Sequence, residues 1–257
     1  MDISILVDDP RILEKARHSH RSPAGGFAGF RGGQFLPVAV VAEESARAYQ
    51  EVPNLLREFS SSFGMLQQLY HQNALLVSEG KTAVPLVPLG AIENQMKAGI
   101  RASYLSAMTL GKRAAGDLRA TTDEEQAYLK RLRLDEYQFL RGFTGDMRTG
   151  GGRMDYGERA EWYVNAVREV FWLGWVLGQK PGSVISWHNG DTAHCRSCDE
   201  FASHGPYSLE DFRRDVLDRG YLPQAGALDC RGFHCRCFLT SSDPIPLDEQ
   251  PGWLEKR

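Results

Sequence analysis

All five cysteines of this 257-residue chain lie between Cys195 and Cys237, as Cys195, Cys198, Cys230, Cys235 and Cys237; the remaining sequence has none. Clustering of this kind constrains a fold more than any composition average, because thiols that close in sequence must be packed, oxidised together or ligated together. Cys195-x-x-Cys198 has the spacing of a metal-binding turn, since two thiolates three residues apart can reach one tetrahedral ion. About thirty residues later come Cys230, Cys235 and Cys237. Two thiols from each cluster would close a four-coordinate structural site, and soft thiolates favour zinc. The expected set is Cys195, Cys198, Cys230 and Cys235, with Cys237 as the substitute. His194 and His234 stand close enough in sequence to take part.

Three plainer explanations compete. The thiols could be ordinary buried cysteines, a disulfide framework, or a redox C-x-x-C. An odd number of cysteines argues against a complete disulfide set, and no strand–helix–strand pattern of a thioredoxin type surrounds Cys195-x-x-Cys198. The N-terminus, "MDISILVDDPRILEK", carries acids where a signal peptide needs basic residues. The longest apolar run, Val170 to Gly178, is far short of a membrane span. A reducing cytoplasm is therefore the expected place of synthesis, with no membrane partner.

The segment holding the thiols is not basic. Residues 195–237 contain six arginines and seven acids, and the chain as a whole has a formal charge of -3. Four thiolates around one Zn²⁺ would add further negative charge. A surface that neutralises phosphates should be basic, and the spacing does not fit a C₂H₂ finger, so no specific nucleic-acid partner is expected. A deaminase-type catalytic zinc fails as well. His188-Asn189-Gly190 lacks the glutamate of H-x-E, and His194 stands where that signature has proline. His188, Asp191 and His204 remain as acid–base candidates, without a nucleophile to complete a site.

The sequence before the thiols reads as helical. Residues 1–37 form a Gly- and Phe-rich arm, expected to be irregular, that either docks on something or stays disordered. A helical domain is expected over 38–182. Pro53 marks a break or a first turn in its first segment, where Leu66, Leu69, Tyr70, Asn73 and Leu76 share a face. "KTAVPLVPLG" reads as a connector. Ile92, Met96, Ile100, Ser103, Ala107 and Leu110 form an apolar stripe, with Gly111 and Gly116 as possible stops. Thr122 and Glu125 form a capping box at the start of a third helix. "GDMRTGGGRMDYGER" reads as a loop. A last helix carries Trp162, Trp172 and Trp175, expected in the core, and its Gly174–Gly178 spacing allows close packing. No nucleotide-binding glycine motif opens any of these helices.

The fold class expected is thus mainly α. Long amphipathic helices precede a small zinc-bound C-terminal α/β module at 183–243, and 244–257 form a tail. The module is expected to be too poor in apolar residues to hold itself together without the metal; only Leu209, Phe212, Val216 and Leu217 suggest a short amphipathic piece.

Read in order, Trp187, Cys195-x-x-Cys198, the Tyr221-Leu222-Pro223 element and the closing Cys235-Arg236-Cys237 resemble the C-terminal signature of phage minor head proteins of the Mu F-like head morphogenesis family. The resemblance is motif-specific over residues 185–240 and architectural over 85–182. Residues 1–80 carry no match. Where the family has Asn or Pro-Asn before C-R-C, this chain has Phe233 and His234, and Cys230 stands a little further upstream than the family's preceding ligand. The resemblance implies a non-enzymatic structural protein of the virion head, made in the host cytoplasm and present in one or several copies. Its implied partners are other head proteins such as the portal or major capsid protein. Its implied role is head assembly, DNA packaging or delivery, with structural Zn²⁺. Two alternatives remain: a hydrolase or transferase attached to head assembly, using His188, Asp191 or His204, and a cellular zinc-ribbon adaptor.

Overall fold

The computed structural model describes residues 27–31, 34–78, 86–149, 156–190, 194–232 and 235–242. Strands β1 (Phe27–Arg31) and β2 (Gln34–Pro37) pair antiparallel, with Phe30 opposite Phe35 and Arg31 opposite Gln34. This part of the arm is therefore not irregular, as its glycines suggested. Phenylalanines spaced between small residues favour an extended, paired backbone strongly enough to offset the entropic cost of glycine. Residues 1–26 and 243–257, the rest of the arm and the tail, lie outside the described residues.

Helix α1 (Val38–Ser78) runs 41 residues straight through Pro53. The expected break is absent. Proline removes one ladder bond, but Tyr49, Val52, Leu56 and Phe59 bury one continuous face across it. Burial of that face outweighs the missing bond. The side chains from Leu66 to Leu76, expected to share a face, lie outside the described set.

Helix α2 (Leu86–Ala114) starts inside the expected connector. Pro88 falls in its first turn, where a backbone N–H would have no intrahelical partner. Met96, Ile100, Ser103, Ala107 and Leu110 are all buried, as their spacing suggests; the side chain of Ile92 is outside the described set. Gly116, at φ +85°, is the C-terminal stop. Gly111 is not a stop. It lies within the helix because α2 crosses α4 (Tyr156–Leu177) there. A Cβ at Gly111 would stand 2.0 Å from the Phe171 carbonyl oxygen, and one at Gly174 would stand 2.3 Å from that of Met108. The two backbones touch, which only glycine permits.

Helix α3 (Asp123–Thr149) opens with the capping box read from sequence. The Thr122 N–H donates to Glu125 Oε2 at 2.8 Å, and the Glu125 N–H to Thr122 Oγ1 at 3.2 Å. The expected 145–159 loop is much shorter, because α3 continues to Thr149 and α4 begins at Tyr156. Arg159 pairs with Asp146 and lies over the Phe143 ring at 4.4 Å, joining the facing ends of the two helices. Trp172 and Trp175 are in the core, edge-to-face with each other at 5.9 Å. None of the described helices is long and apolar enough to cross a membrane.

Beyond α4 the chain forms a three-stranded antiparallel sheet. β3 (Val184–His188) lies between β4 (Tyr207–Ser208) and β5 (Phe238–Ser242). α5 (Arg196–His204) leads into β4, and α6 (Leu209–Phe212) widens into a π-type turn at Arg213–Leu217. Helices and strands do combine here, but all the described strands pair antiparallel, with no parallel β-α-β unit among the described residues.

Contrary to the expectation from its composition, the segment is not poor in buried apolar side chains. Tyr207, Leu209, Phe212, Val216, Leu217, Leu222, Ala225 and Leu228 are all below 10% exposed. They belong to one buried cluster with the side chains of α1–α4. Sequence periodicity undercounted them because Leu222, Ala225 and Leu228 lie on an irregular coil, where no period marks the inward residues.

Candidate metal centre

The sheet and α5 bring the two cysteine clusters together. Cys195 is the residue before the first turn of α5, with extended backbone (φ -81°, ψ 163°), and Cys198 sits in that turn, 2% exposed. Their sulfurs are 3.3 Å apart. Cys230 comes from the coil after Leu228, which turns back through positive φ at Arg231 (+51°) and Gly232 (+76°). Cys235 and Cys237 precede β5, with Cys237 buried.

The sulfurs form two overlapping triads. Those of Cys195, Cys198 and Cys230 lie within 4.8 Å of one another, and so do those of Cys198, Cys235 and Cys237. Cys198 belongs to both. In a tetrahedral site with metal–sulfur bonds near 2.3 Å, neighbouring sulfurs stand roughly 3.8 Å apart. The cluster therefore has the donor type and spacing to hold a metal ion. His194 is half-buried beside Cys195; His234 and Asp191 lie outside the described residues.

The thiols perturb one another strongly. The neighbouring thiols of Cys230, Cys235 and Cys237 hold the proton on Cys198, with burial acting in the same direction. Cys237 is lowered well below the usual thiol range, first by its neighbours Cys198 and Cys235 and then by the Gly190 N–H. Cys235 is lowered chiefly by Cys198 and Cys230. A buried group of thiols arranged this way already favours thiolate on some of its members, which is what a cation would require of the rest.

Several residues that sequence reading did not single out fix the loops that carry the sulfurs. Gln224, at φ +65° and 1% exposed, donates from Nε2 to the carbonyl oxygens of Cys235 (3.0 Å) and Cys237 (2.9 Å), while Oε1 accepts from Trp172 Nε1 at 2.9 Å. Asn165 Nδ2 donates to the Gly232 carbonyl at 3.0 Å. Ser197 and Asp229 exchange bonds across the gap, N–H to Oδ2 at 3.1 Å and N–H to Oγ at 3.2 Å, tying the start of α5 to the Cys230 coil. At Gly190 a Cβ would stand 2.5 Å from that of Arg236, so the backbone there passes directly against the Cys235–Cys237 segment. Single polar residues in aperiodic coil carry no spacing signal. The one available hint is that Gln224 and Asn165 are amides next to apolar residues.

The residues that carried the family resemblance also meet. Phe201 of α5 packs between Trp187 and Tyr221, with ring centroids 5.2 Å from each. His188 is engaged by the sheet. Its Nε2 lies 2.7 Å from Thr240 Oγ1 and its ring stacks on Phe238 at 4.9 Å. His204 is exposed at the end of α5. Comparisons with protein-family models, with curated proteins and with solved structures give no match for this chain.

Proposed function

We propose that this chain is a structural minor head protein of a tailed bacteriophage, with one structural zinc ion held by four of the five thiols. The observation that carries this reading is the convergence of the signature residues on a single site. Trp187, both cysteine clusters and Tyr221 are spread over more than fifty residues. They meet in one patch where all five sulfurs fall into two linked triads. Zinc is the ion of choice because an all-thiolate, closed set of donors suits it and leaves no position for catalytic water.

The ion's role here is to fix two loops against each other. The apolar core beneath already joins the segment to the helices. The ion would hold the start of α5 against the segments at Cys230 and at Cys235–Cys237 and present a rigid outer face for a neighbouring head protein such as the portal or major capsid protein. Engagement of His188 by Thr240 and Phe238 supports the structural reading over the hydrolase or transferase alternative.

Quantitative mass spectrometry of purified particles tests this. The protein is expected in DNA-filled heads at low copy number, and particles lacking its gene are expected to be defective in head assembly or DNA delivery. Its absence from heads would overturn the reading, as would a hydrolytic or transfer activity abolished by His188→Ala.

A further inference from the structure

A second site stands apart from the thiols. A cavity of about 760 Å³ opens between α3, α4 and the coil from Gly220 to Arg231. Tyr104 and Tyr163, both below 5% exposed, line it together with Leu132 and Trp162, and Phe139, 63% exposed, stands at its rim. Its size is that of sites for small organic ligands, which are mostly apolar with a few convergent polar groups.

The convergent polar groups are two carboxylates, Glu136 from α3 and Glu169 from α4, both half-buried and reached from the cavity. Tyr104 and Gly226 line the cavity beside them, and each lowers the carboxyl it faces, Tyr104 that of Glu136 and Gly226 that of Glu169, by less than burial raises it. Neither forms an ion pair among the described residues. The other charged groups lining the cavity do not compensate them. Arg159 is held by Asp146 and the face of Phe143, Asp135 adds a third negative charge at the surface, and Arg231 is exposed. Two acids facing one cavity with no ion-paired cation among the described residues cost folding energy that glutamine or methionine would not. Aromatic rings on the same walls, Tyr104, Trp162 and Tyr163, can add attraction for a cation that meets a ring face.

We propose that this cavity binds an organic cation, a protonated amine on an apolar body, with Glu136 and Glu169 supplying the negative charge and the aromatic walls enclosing the body. Burial pushes both glutamates up to about 7, and Glu169 further opposes ionisation of Glu136. A bound cation reverses that, so binding strengthens as both acids ionise. No thiol lines the cavity, although its coil wall also carries Cys230, and the proposal does not depend on the head-protein reading.

The test is calorimetry on the full chain at pH 8 with two cationic probes and their neutral counterparts. One arm compares benzylammonium with benzyl alcohol. The other compares acetyl-Leu-Lys-Leu-amide with the same peptide carrying norleucine. At least one cation is expected to bind one per chain, tenfold or more tighter than its neutral counterpart. The double variant Glu136→Gln/Glu169→Gln, which keeps the fold because it removes buried charge, is expected to lose that tenfold preference, and affinity is expected to fall between pH 8 and pH 5. Binding of benzylammonium marks a free amine as the ligand; binding of the lysine peptide alone marks a side chain presented by a partner protein. Failure of both cations to saturate, equal binding of the neutral probes, tighter binding of Ca²⁺ or Mg²⁺, or unchanged affinity in the double variant would each overturn the proposal.

Discussion

Trp172 Nε1 donates to Gln224 Oε1 across 2.9 Å, joining the buried centre of α4 to the coil that carries three of the five cysteines. The same Gln224 amide holds the carbonyls of Cys235 and Cys237. One side chain thus couples the helical core to the metal-binding loop. Gln224→Leu would leave the Trp172 indole N–H and the Cys235 and Cys237 carbonyl oxygens without this partner. The expected cost is ~2–4 kcal/mol, measured by urea unfolding of the metal-loaded protein, because unmet buried groups carry their full desolvation penalty. A loss below ~0.5 kcal/mol would show that water replaces the amide.

The contact between α2 and α4 depends on absent side chains. Gly174→Ala places a Cβ 2.3 Å from the Met108 carbonyl oxygen and must force the helices apart. The expected loss is ~2 kcal/mol or more. Gly90→Ala, in α2 with nothing within 4 Å, is the control and should be neutral or stabilising by up to ~1 kcal/mol. Equal thermal shifts in the two variants would contradict the packing described.

The capping box at Thr122 and Glu125, the stripe from Met96 to Leu110 and the Gly174–Gly178 spacing were all legible because helix geometry repeats every 3.6 residues and helix ends have fixed polar needs. The clustering of the thiols was legible for a similar reason, since ligand spacing is local. What was not legible was long-range. Gly111 reads as a stop until α4 is laid across it, and Pro53 reads as a break until the face on both sides of it is buried. Gln224, Asn165 and the Glu136–Glu169 pair have no periodic signature, and only the fold brings them to their partners.

Acidity should act through the cavity. Glu136 and Glu169 sit at about 7 in the folded chain, against 4.5 as the ordinary glutamate value. Below about pH 4.5 both states of the chain hold these protons and the pair costs nothing. As pH rises from 4.5 to 7 the unfolded chain releases them first, so stability falls through this window and stays low above it. The expected loss is ~1–3 kcal/mol for the pair, reduced from the full linkage value by water reaching both groups through the cavity. Glu136→Gln/Glu169→Gln should flatten the Tm profile between pH 5 and pH 8 and raise Tm at pH 8. A double variant that tracks the parent protein across that range would contradict it.

Lys112 is 2% exposed and sits 2.8 Å from Glu125 and 3.4 Å from Asp117. Lys112→Met removes the buried cation from Glu125, which also closes the capping box, and leaves Asp117 to Arg119 alone. A loss of ~3–5 kcal/mol in chemical unfolding is expected. Asp117 also pairs with Arg119, so the loss should be smaller if that pair takes over its charge.

The central claim is that four of the five gathered thiols hold one metal ion, and Cys198 is the ligand it can least spare, because both sulfur triads include it. Native mass spectrometry of the intact chain, purified under reducing conditions with zinc present, reads this directly. One zinc per chain is expected in the parent protein, with none retained after Cys198→Ser while the helices remain folded by circular dichroism. A metal-free parent protein, or a Cys198→Ser variant that keeps its zinc, would contradict the account.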